Sequence, residues 1–284
     1  MRRPSLLCLL LLACSSPRGL WRDQLVFVGD HGMVVPLGLV RETPGSAEAK
    51  GWLGQDGVWR SVFYDRFAIR GQDAPDLGAS VAAWSRWPDR SAYVSLARKD
   101  REIDLRVRTR SAPESMTIRA RAIRRLGDSR DPEGSSLWSA GRAEIRGVPR
   151  ARREGTLADG SGWLLVEQTP ADRPKRPLVE YGDYVLAFLA RKDGDLVILK
   201  RSRKRGGFDF AVARLDGRVA KTRRVVADVG QDHLSLALPD EGLRARLDIR
   251  DRDESHGVAP NGRAVTYETL LLGGDLNGVA MVIR

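Results

Sequence analysis

Residues 102–109 read Glu-Ile-Asp-Leu-Arg-Val-Arg-Thr and alternate strictly between apolar and polar side chains. A period of two is typical of a β-strand with one buried and one solvent-facing side. Residues 116–122 repeat the pattern after a turn at 111–114, so the two stretches predict a hairpin with one apolar face. The other face would carry arginines that repel one another unless an anion bridges them: Arg106, Arg108, Arg119 and Arg121.

Similar alternating stretches, separated by Gly, Asp, Pro and Asn, run through the rest of the chain. Asp193-Gly194 lies between residues 184–190 and 196–200, and Asp216-Gly217 lies between 208–215 and 219–226. Asp-Gly between apolar runs is a strong hairpin signal. Roughly sixteen to eighteen short strands and no long segment of helical period predict an all-β fold of barrels or sandwiches.

Two polar, turn-rich stretches are candidates for the boundary between domains. Residues 126–136 are the preferred one, which gives an N-terminal β domain at 22–136 and a C-terminal β domain at 137–284. Residues 168–177, with prolines at 170, 174 and 177, are the second candidate.

The N-terminal residues have the pattern of a bacterial lipoprotein signal. Met1-Arg2-Arg3 is a positive start, residues 6–13 are apolar, and Leu11-Leu12-Ala13-Cys14 matches the box in which the cysteine is lipidated. We expect a signal peptide at 1–13, a lipid anchor at Cys14 and a tether at 14–21. The alternative is an ordinary signal peptide that contains a cysteine. The anchor predicts a location in the cell envelope, and Ser15 after it favours the outer membrane, facing the periplasm or the cell surface.

Composition excludes several classes of site. The only cysteines are Cys8 and Cys14, and the three histidines, His31, His233 and His256, are far apart, so no metal site is predicted. No phosphate-binding loop, dinucleotide fingerprint or serine nucleophile elbow is present, and no cofactor is predicted. The net charge is +11, but export and the lack of a nucleic-acid motif favour a membrane surface over nucleic acid as partner. The alternative is that arginine is simply abundant, since Asp and Glu are also frequent and the charges are mostly interspersed.

A series of motifs in the second half of the chain carries a family resemblance. They are Gly-Arg-Ala-Glu-Ile-Arg-Gly at 141–147, Gly-Trp-Leu-Leu-Val-Glu at 162–167, Tyr-Val-Leu-Ala-Phe at 184–188, Leu-Asp-Gly-Arg-Val at 215–219, Leu-Pro-Asp-Glu-Gly-Leu at 238–243, Val-Thr-Tyr-Glu at 265–268 and Gly-Val-Ala-Met-Val-Ile at 278–283. In this order, over residues 137–284, they resemble the hydroxyneurosporene-synthase-like proteins, the lipocalin-type family that includes the AttH group. The resemblance implies two consecutive lipocalin-like β domains. Some members add water to carotenoids, and many are exported.

Two acids are candidates for catalysis. Asp65 shares one predicted strand face with Trp59 and Phe63, where burial would favour its protonated form and suit a general acid. The alternatives for Asp65 are a bulge that turns it outward or an ion pair with an arginine. Glu167 is the second candidate acid.

Aromatic residues are the candidates for ligand contacts. Trp84 and Trp87 would lie at a barrel mouth, and Trp163, Tyr184 and Phe188 would line a cavity of the second domain. Ordinary core packing is the alternative for each of them. A basic loop at 200–205 would attract anionic lipid or simply be solvated.

The preferred hypothesis is an envelope lipoprotein that binds a hydrophobic or amphipathic molecule, such as a lipid, in a β-barrel cavity without catalysis. One alternative is a hydratase-like enzyme of the same fold that acts on a carotenoid or isoprenoid, with Asp65 or Glu167 as the acid. Another is a structural envelope protein with a filled interior.

Overall fold

The structure is a computed structural model that describes residues 20–43, 46–55, 57–70, 81–85, 93–99, 101–108, 116–131, 134–149, 157–171, 184–202, 209–258, 262 and 264–284. Nineteen β-strands and one short 3-10 turn make up the regular structure of these residues. The described part of the chain is therefore all-β, as predicted, with slightly more strands than the sequence pattern indicated.

The first ten strands form one closed antiparallel barrel. Each strand pairs with its neighbours in sequence, and β1 closes the ring by pairing with both β2 and β10. The strands are β1 (Leu20–Gly29), β2 (Val34–Thr43), β3 (Ser46–Gln55), β4 (Val58–Arg70), β5 (Val81–Ser85), β6 (Tyr93–Lys99), β7 (Glu102–Arg108), β8 (Met116–Asp131), β9 (Gly134–Pro149) and β10 (Leu157–Ala171).

The remaining nine strands form a second antiparallel sheet in the order β14-β13-β12-β11-β19-β18-β17-β16-β15. They are β11 (Tyr184–Ala190), β12 (Leu196–Ser202), β13 (Asp209–Leu215), β14 (Arg218–Thr222), β15 (Val226–Val229), β16 (His233–Leu238), β17 (Leu243–Val258), β18 (Ala264–Gly274) and β19 (Asn277–Ile283). The 3-10 turn Pro239–Glu241 connects β16 to β17.

The buried apolar side chains form three layers, of which one joins the two sheets. One fills the inner face of the barrel, one lies on the inner face of the second sheet, and the third lies between the two sheets. The middle layer explains why β1 and β10 are apolar on both sides. Phe27 and Leu164 point into the barrel, whereas Val26 and Leu165 point at the second sheet. Burial on both faces removes the alternation that a half-exposed strand shows.

Several hairpins predicted from the sequence are confirmed. β7 pairs with β8, and the inward residues of both strands, Ile103 and Ile118 among them, join the barrel core. β11 pairs with β12 around Asp193-Gly194, and β13 pairs with β14 around Asp216-Gly217. Asp216 and Gly217 both have positive φ, at 49° and 76°, which is the backbone that a tight hairpin turn requires.

The predicted boundary at 136/137 does not coincide with the change of sheet. Residues 126–131 and 134–136 are the adjoining, paired ends of β8 and β9 in the barrel, and β9 runs on to Pro149. Their polar composition is that of paired strand ends and not of a linker. The sheets change between Ala171 and Tyr184, so the second candidate boundary, 168–177, overlaps the end of β10 and the connection that follows it.

One prediction of a strand face is corrected by a local irregularity. Ala122 does not continue the apolar face of β8, because its φ of 53° lies at a register shift of the strand and leaves its side chain exposed. In β4 the backbone register with β3 also shifts, between Ser61 and Phe63. Such a β-bulge bends a strand locally and increases its twist.

Candidate functional site

The inner face of the barrel is the largest apolar surface that the first ten strands enclose. Its described core is almost entirely aliphatic, and Phe27 is the single aromatic residue among these members: Leu25, Phe27, Val35, Leu37, Leu53, Leu96, Ile103, Leu105, Val107, Met116, Ile118, Ala120, Ala143, Ile145, Val148, Leu164 and Val166. Ala120 and Ala143 are direct partners across β8 and β9, so this part of the wall is lined by small side chains.

Two of the predicted site residues belong to the barrel strands β4 and β5. Asp65 lies in β4 opposite Ala49, and Trp84 lies in β5 opposite Tyr93 of β6. Their side chains, and Trp87 altogether, lie outside what the structure describes. Their catalytic and binding roles therefore remain predictions.

The other three aromatic candidates lie in the layer between the two sheets. Trp163 projects from β10 of the barrel, and Tyr184 and Phe188 project from β11 of the second sheet. The shared face of Tyr184 and Phe188 is as predicted, but it is turned toward the barrel. The inner face of the second sheet is formed by their neighbours on β11, such as Ala187 and Leu189. The expected cavity of the second domain is thus not where these three side chains lie.

A buried ion pair crosses the same layer. Glu167 of β10 contacts Lys200 of β12, and both side chains are at most 2 % exposed. Ser136 of β9 donates its hydroxyl to Glu167 over 2.8 Å and accepts a hydrogen bond from Lys200 over 3.1 Å. The Lys200 ammonium also lies 6.0 Å from the ring centroid of Trp138. Two charges out of water need such complete pairing, because an unpartnered buried charge is very costly.

Glu167 is therefore buried between the sheets and does not face the barrel interior, where Val166 points. Lys200, predicted to begin an exposed basic loop, is buried as well. β12 continues to Ser202, and its alternation places Lys200 on the barrel-facing side together with Ile198. Sequence reasoning missed this pair, because partners on different sheets leave no local signal.

Trp163 lies at the edge of the layer and contacts two arginines. The guanidinium carbons of Arg142 and Arg214 lie 5.2 and 5.3 Å from its ring centroid, within the range of cation–π attraction. Arg142 is the neighbour of Trp163 across β9 and β10, whereas Arg214 comes from β13 of the second sheet. Gly194 packs on the same ring, and a Cβ at this glycine would lie 3.1 Å from it.

Asp30 neutralises Arg142 with two hydrogen bonds of 2.9 and 2.8 Å and accepts a third, of 2.9 Å, from Ser161. Burial of Asp30 opposes its ionisation. The hydrogen bonds from Arg142 and Ser161, together with the positive charges of Arg142 and Lys192, outweigh that effect. The pKa of Asp30 is therefore lowered from its ordinary value of 3.8.

Comparison with known proteins finds likeness in structure alone. No protein-family profile and no curated protein matches the sequence. A solved structure assigned to AttH, from Nitrosomonas europaea, superposes with a TM-score of 0.51 at 11 % identity and covers 93 % of this chain and 91 % of that one. Kievitone hydratase from Nectria haematococca gives a TM-score of 0.44 at 10 % identity, with 94 % and 89 % covered.

The fold is lipocalin-like. The likeness to the AttH structure extends over both sheets, in agreement with the two consecutive lipocalin-like domains that the motifs implied. At this identity the likeness describes the fold and leaves the activity open.

The second lipocalin-like sheet holds a buried carboxylate that sequence reasoning did not single out as a site. Glu268 of β18 is 3 % exposed and forms ion pairs with Arg252 of β17 and with Arg284 over 3.1 Å. Arg252 also donates to the backbone oxygen of Gln231 over 3.0 Å, and Arg284 to that of Val229. Glu268 thus fastens the segment around residues 229–231 to β17 and β18.

In the part of the chain that the structure covers, no three His, Cys, Asp or Glu side chains come together in a way that could hold a metal ion. Among the same residues, no helix has the length and apolar character needed to cross a membrane.

Proposed function

We propose that the chain is a membrane-anchored lipoprotein of the bacterial cell envelope whose first barrel binds a hydrophobic or amphipathic molecule. The observation that carries this proposal is the closure of ten strands around an aliphatic inner face. Barrel diameter grows with strand number, and about eight strands already leave an interior that side chains just fill or that holds one small ligand. Ten strands enclose more room than that.

The chemistry of the inner wall supports an apolar ligand. Its described core residues are aliphatic apart from Phe27, so a polar molecule would lose its hydration there without gaining hydrogen bonds. Among the described core residues of the wall, the paired alanines Ala120 and Ala143 have the smallest side chains. An elongated hydrocarbon segment fits these conditions, and a membrane that holds the anchor would supply it.

Two alanines of β9 provide a test with a matched control. Ala143 points into the barrel and Ala140 points at the second sheet, and both are 4 % exposed. Lipids extracted with the purified full chain should be enriched over those from an unrelated lipoprotein. Ala143→Phe, and Ala143→Leu as a milder change, should reduce the lipid content. Ala140→Leu should destabilise the protein about as much as Ala143→Leu but leave the lipid content unchanged.

The proposal fails if the wild-type chain carries no more lipid than the control lipoprotein. That result would favour the structural envelope protein instead. Equal loss in the Ala143 and Ala140 variants would also contradict it, because the loss would then follow stability and not the space inside the barrel.

The anchor is tested separately at Cys14. We expect the wild-type chain to be found in the membrane fraction of a bacterial host and to be labelled by a radioactive or alkyne-bearing fatty acid. The Cys14→Ala variant should lose this labelling. Unchanged labelling of the variant would remove the anchor from the proposal and would leave the barrel site untouched.

The enzymatic alternative depends on an acid within reach of a substrate. The position of Glu167 argues against catalysis by this residue, because its carboxylate is buried between the sheets and paired with Lys200. Asp65 remains the candidate. If water addition to an isoprenoid substrate were detected and Asp65→Asn left its rate unchanged, Asp65 would not be the acid.

A further inference from the structure

Arg142 and Arg214 contact the Trp163 ring where the barrel meets the second sheet, and Arg121 is the strand neighbour of Arg142. On the outer face of the barrel, Arg121 of β8 is the direct partner of Arg142 on β9, and Arg142 is the direct partner of Trp163 on β10. Arg214 reaches the same ring from β13. We name the group Arg121, Arg142, Trp163 and Arg214 the junction cluster.

The charges of the junction cluster are not balanced. Asp30 accepts two hydrogen bonds from Arg142 and balances its charge. Neither Arg121 nor Arg214 has a carboxylate partner among the residues that the structure describes. Two arginines in direct cross-strand register also repel each other. Within the described part of the chain, two guanidinium groups therefore have no carboxylate counter-charge.

Two other arginines of the arginine-rich face are neutralised within the barrel. Asp104 lies 3.4 Å from both Arg106 and Arg119, so a carboxylate of the protein takes the place of the bridging anion expected for that face. Glu144 lies 3.5 Å from Arg146 in the same way. Arg108 and Arg121 have no such carboxylate among the described residues, and Arg121 is the one of the two that lies next to Arg142.

The geometry suits an oxyanion with several acceptor oxygens. Guanidinium groups present forked N–H donors that match carboxylate and phosphate oxygens. Arg214 is half-buried against the Trp163 ring, which limits its motion and its contact with water. A phosphate monoester carries about −1.5 to −2 charges at neutral pH and three strong acceptor oxygens, which matches two unpaired guanidinium groups better than one carboxylate does.

We propose that the junction cluster is a binding site for a phosphate monoester, with Arg121 and Arg214 as its donors and Trp163 as the surface that positions Arg214. The site lies outside the barrel, on the seam between the sheets, and does not depend on the apolar ligand proposed above. A free phosphorylated metabolite and the headgroup of an anionic lipid share this chemistry.

The test uses the full chain, with inorganic phosphate as the probe, in a buffer of low ionic strength. Binding is followed by calorimetry and by the change in tryptophan fluorescence. We expect saturable binding that Arg121→Gln and Arg214→Gln each weaken by roughly tenfold, the loss of one charge-assisted hydrogen-bonding partner. Arg106→Gln is the matched control, since Arg106 is an exposed arginine of the same barrel already paired with Asp104.

A second arm distinguishes the two sources of phosphate. The Cys14→Ala full chain is mixed with phosphatidylcholine vesicles that contain or lack phosphatidic acid, whose headgroup is a phosphate monoester. Retention by phosphatidic acid that the Arg121 and Arg214 variants reduce, and the Arg106 variant does not, supports a lipid headgroup. Binding of inorganic phosphate without vesicle retention supports a soluble ligand.

The proposal is overturned if neither probe binds the wild-type chain. It is also overturned if Arg106→Gln weakens binding as much as the two cluster variants, because binding would then follow net charge alone. Arg121 is exposed, so Arg121→Gln should fold normally and keeps the test decisive even where Arg214→Gln lowers stability.

Discussion

At the scale of single residues, the Glu167–Lys200 pair makes a sharp prediction about stability. Lys200→Met leaves a buried carboxylate without its counter-charge and should lower the free energy of unfolding by about 3–5 kcal/mol. Adding Glu167→Gln should restore most of the loss, because a neutral amide can keep the hydrogen bond to Ser136. Urea denaturation of the wild type, the single variant and the double variant measures both effects.

Lys221 is the control for that experiment. It pairs with Asp128 over 3.2 Å across the same two sheets, but both side chains are about half exposed. Lys221→Met should therefore cost less than about 1 kcal/mol. A double variant no more stable than Lys200→Met would show that the lysine stabilises the protein by its packing and not by its charge.

Asp30 predicts how stability depends on pH. Its pKa is lowered in the folded state, so its ion pair with Arg142 stabilises the protein fully above the ordinary value of 3.8 and is lost as the pH falls through the folded-state pKa. Asp30→Asn should lower the melting temperature at pH 6, and the gap to the wild type should narrow below about pH 4. The exposed Asp193, changed to Asn, should produce no such gap.

At the scale of strands, two glycines of β10 test how the barrel closes. A Cβ at Gly162 would lie 2.1 Å from the backbone oxygen of Val28, so Gly162→Ala should push β10 away from β1 and cost about 1–3 kcal/mol or more. Gly160→Ala, two residues away, meets nothing closer than 3.6 Å and should be tolerated. The measurement is thermal unfolding of both variants. A lower melting temperature for Gly162→Ala alone supports close packing of β10 against β1, whereas equal losses in both variants would mean that β10 does not tolerate added side chains in general.

Strand pairing was also the level at which the sequence was most informative. The alternation in β7 and β8 and the Asp-Gly turns predicted the hairpins correctly, because a hairpin is encoded by neighbouring residues. The predicted boundary at 136/137 lies within the paired ends of β8 and β9, since the polar ends of two paired strands and a linker have similar compositions. Contacts such as Trp163 with Arg214 join different sheets, and no local pattern records them.

At the scale of the whole molecule, the layer between the sheets predicts that the two units hold together without their covalent link. It contains large apolar side chains from both, including Trp138 and Trp163 from the barrel and Tyr184 and Phe188 from the second sheet. A protease site inserted between residues 171 and 184 should be cleavable, and the two fragments should then elute together on size exclusion. Urea should separate them.

Separate elution in native buffer would contradict this expectation. It would mean that the apolar surface of the layer is too small to hold two rigid bodies at working concentrations. Lys200→Met provides a further readout in the cleaved protein. Loss of the counter-charge to Glu167 should promote dissociation of the fragments at lower urea than in the cleaved wild type.

The pairing of β1 with β10 also sets the order of events on a ribosome or at an export channel. β1 is synthesised early, whereas β10 follows more than a hundred residues later. Until β10 is available, one edge of β1 has no partner strand. Exposed apolar edges invite pairing between molecules. The chain should therefore depend on a holding chaperone during synthesis, and nascent-chain aggregation should subside once Ala171 is free.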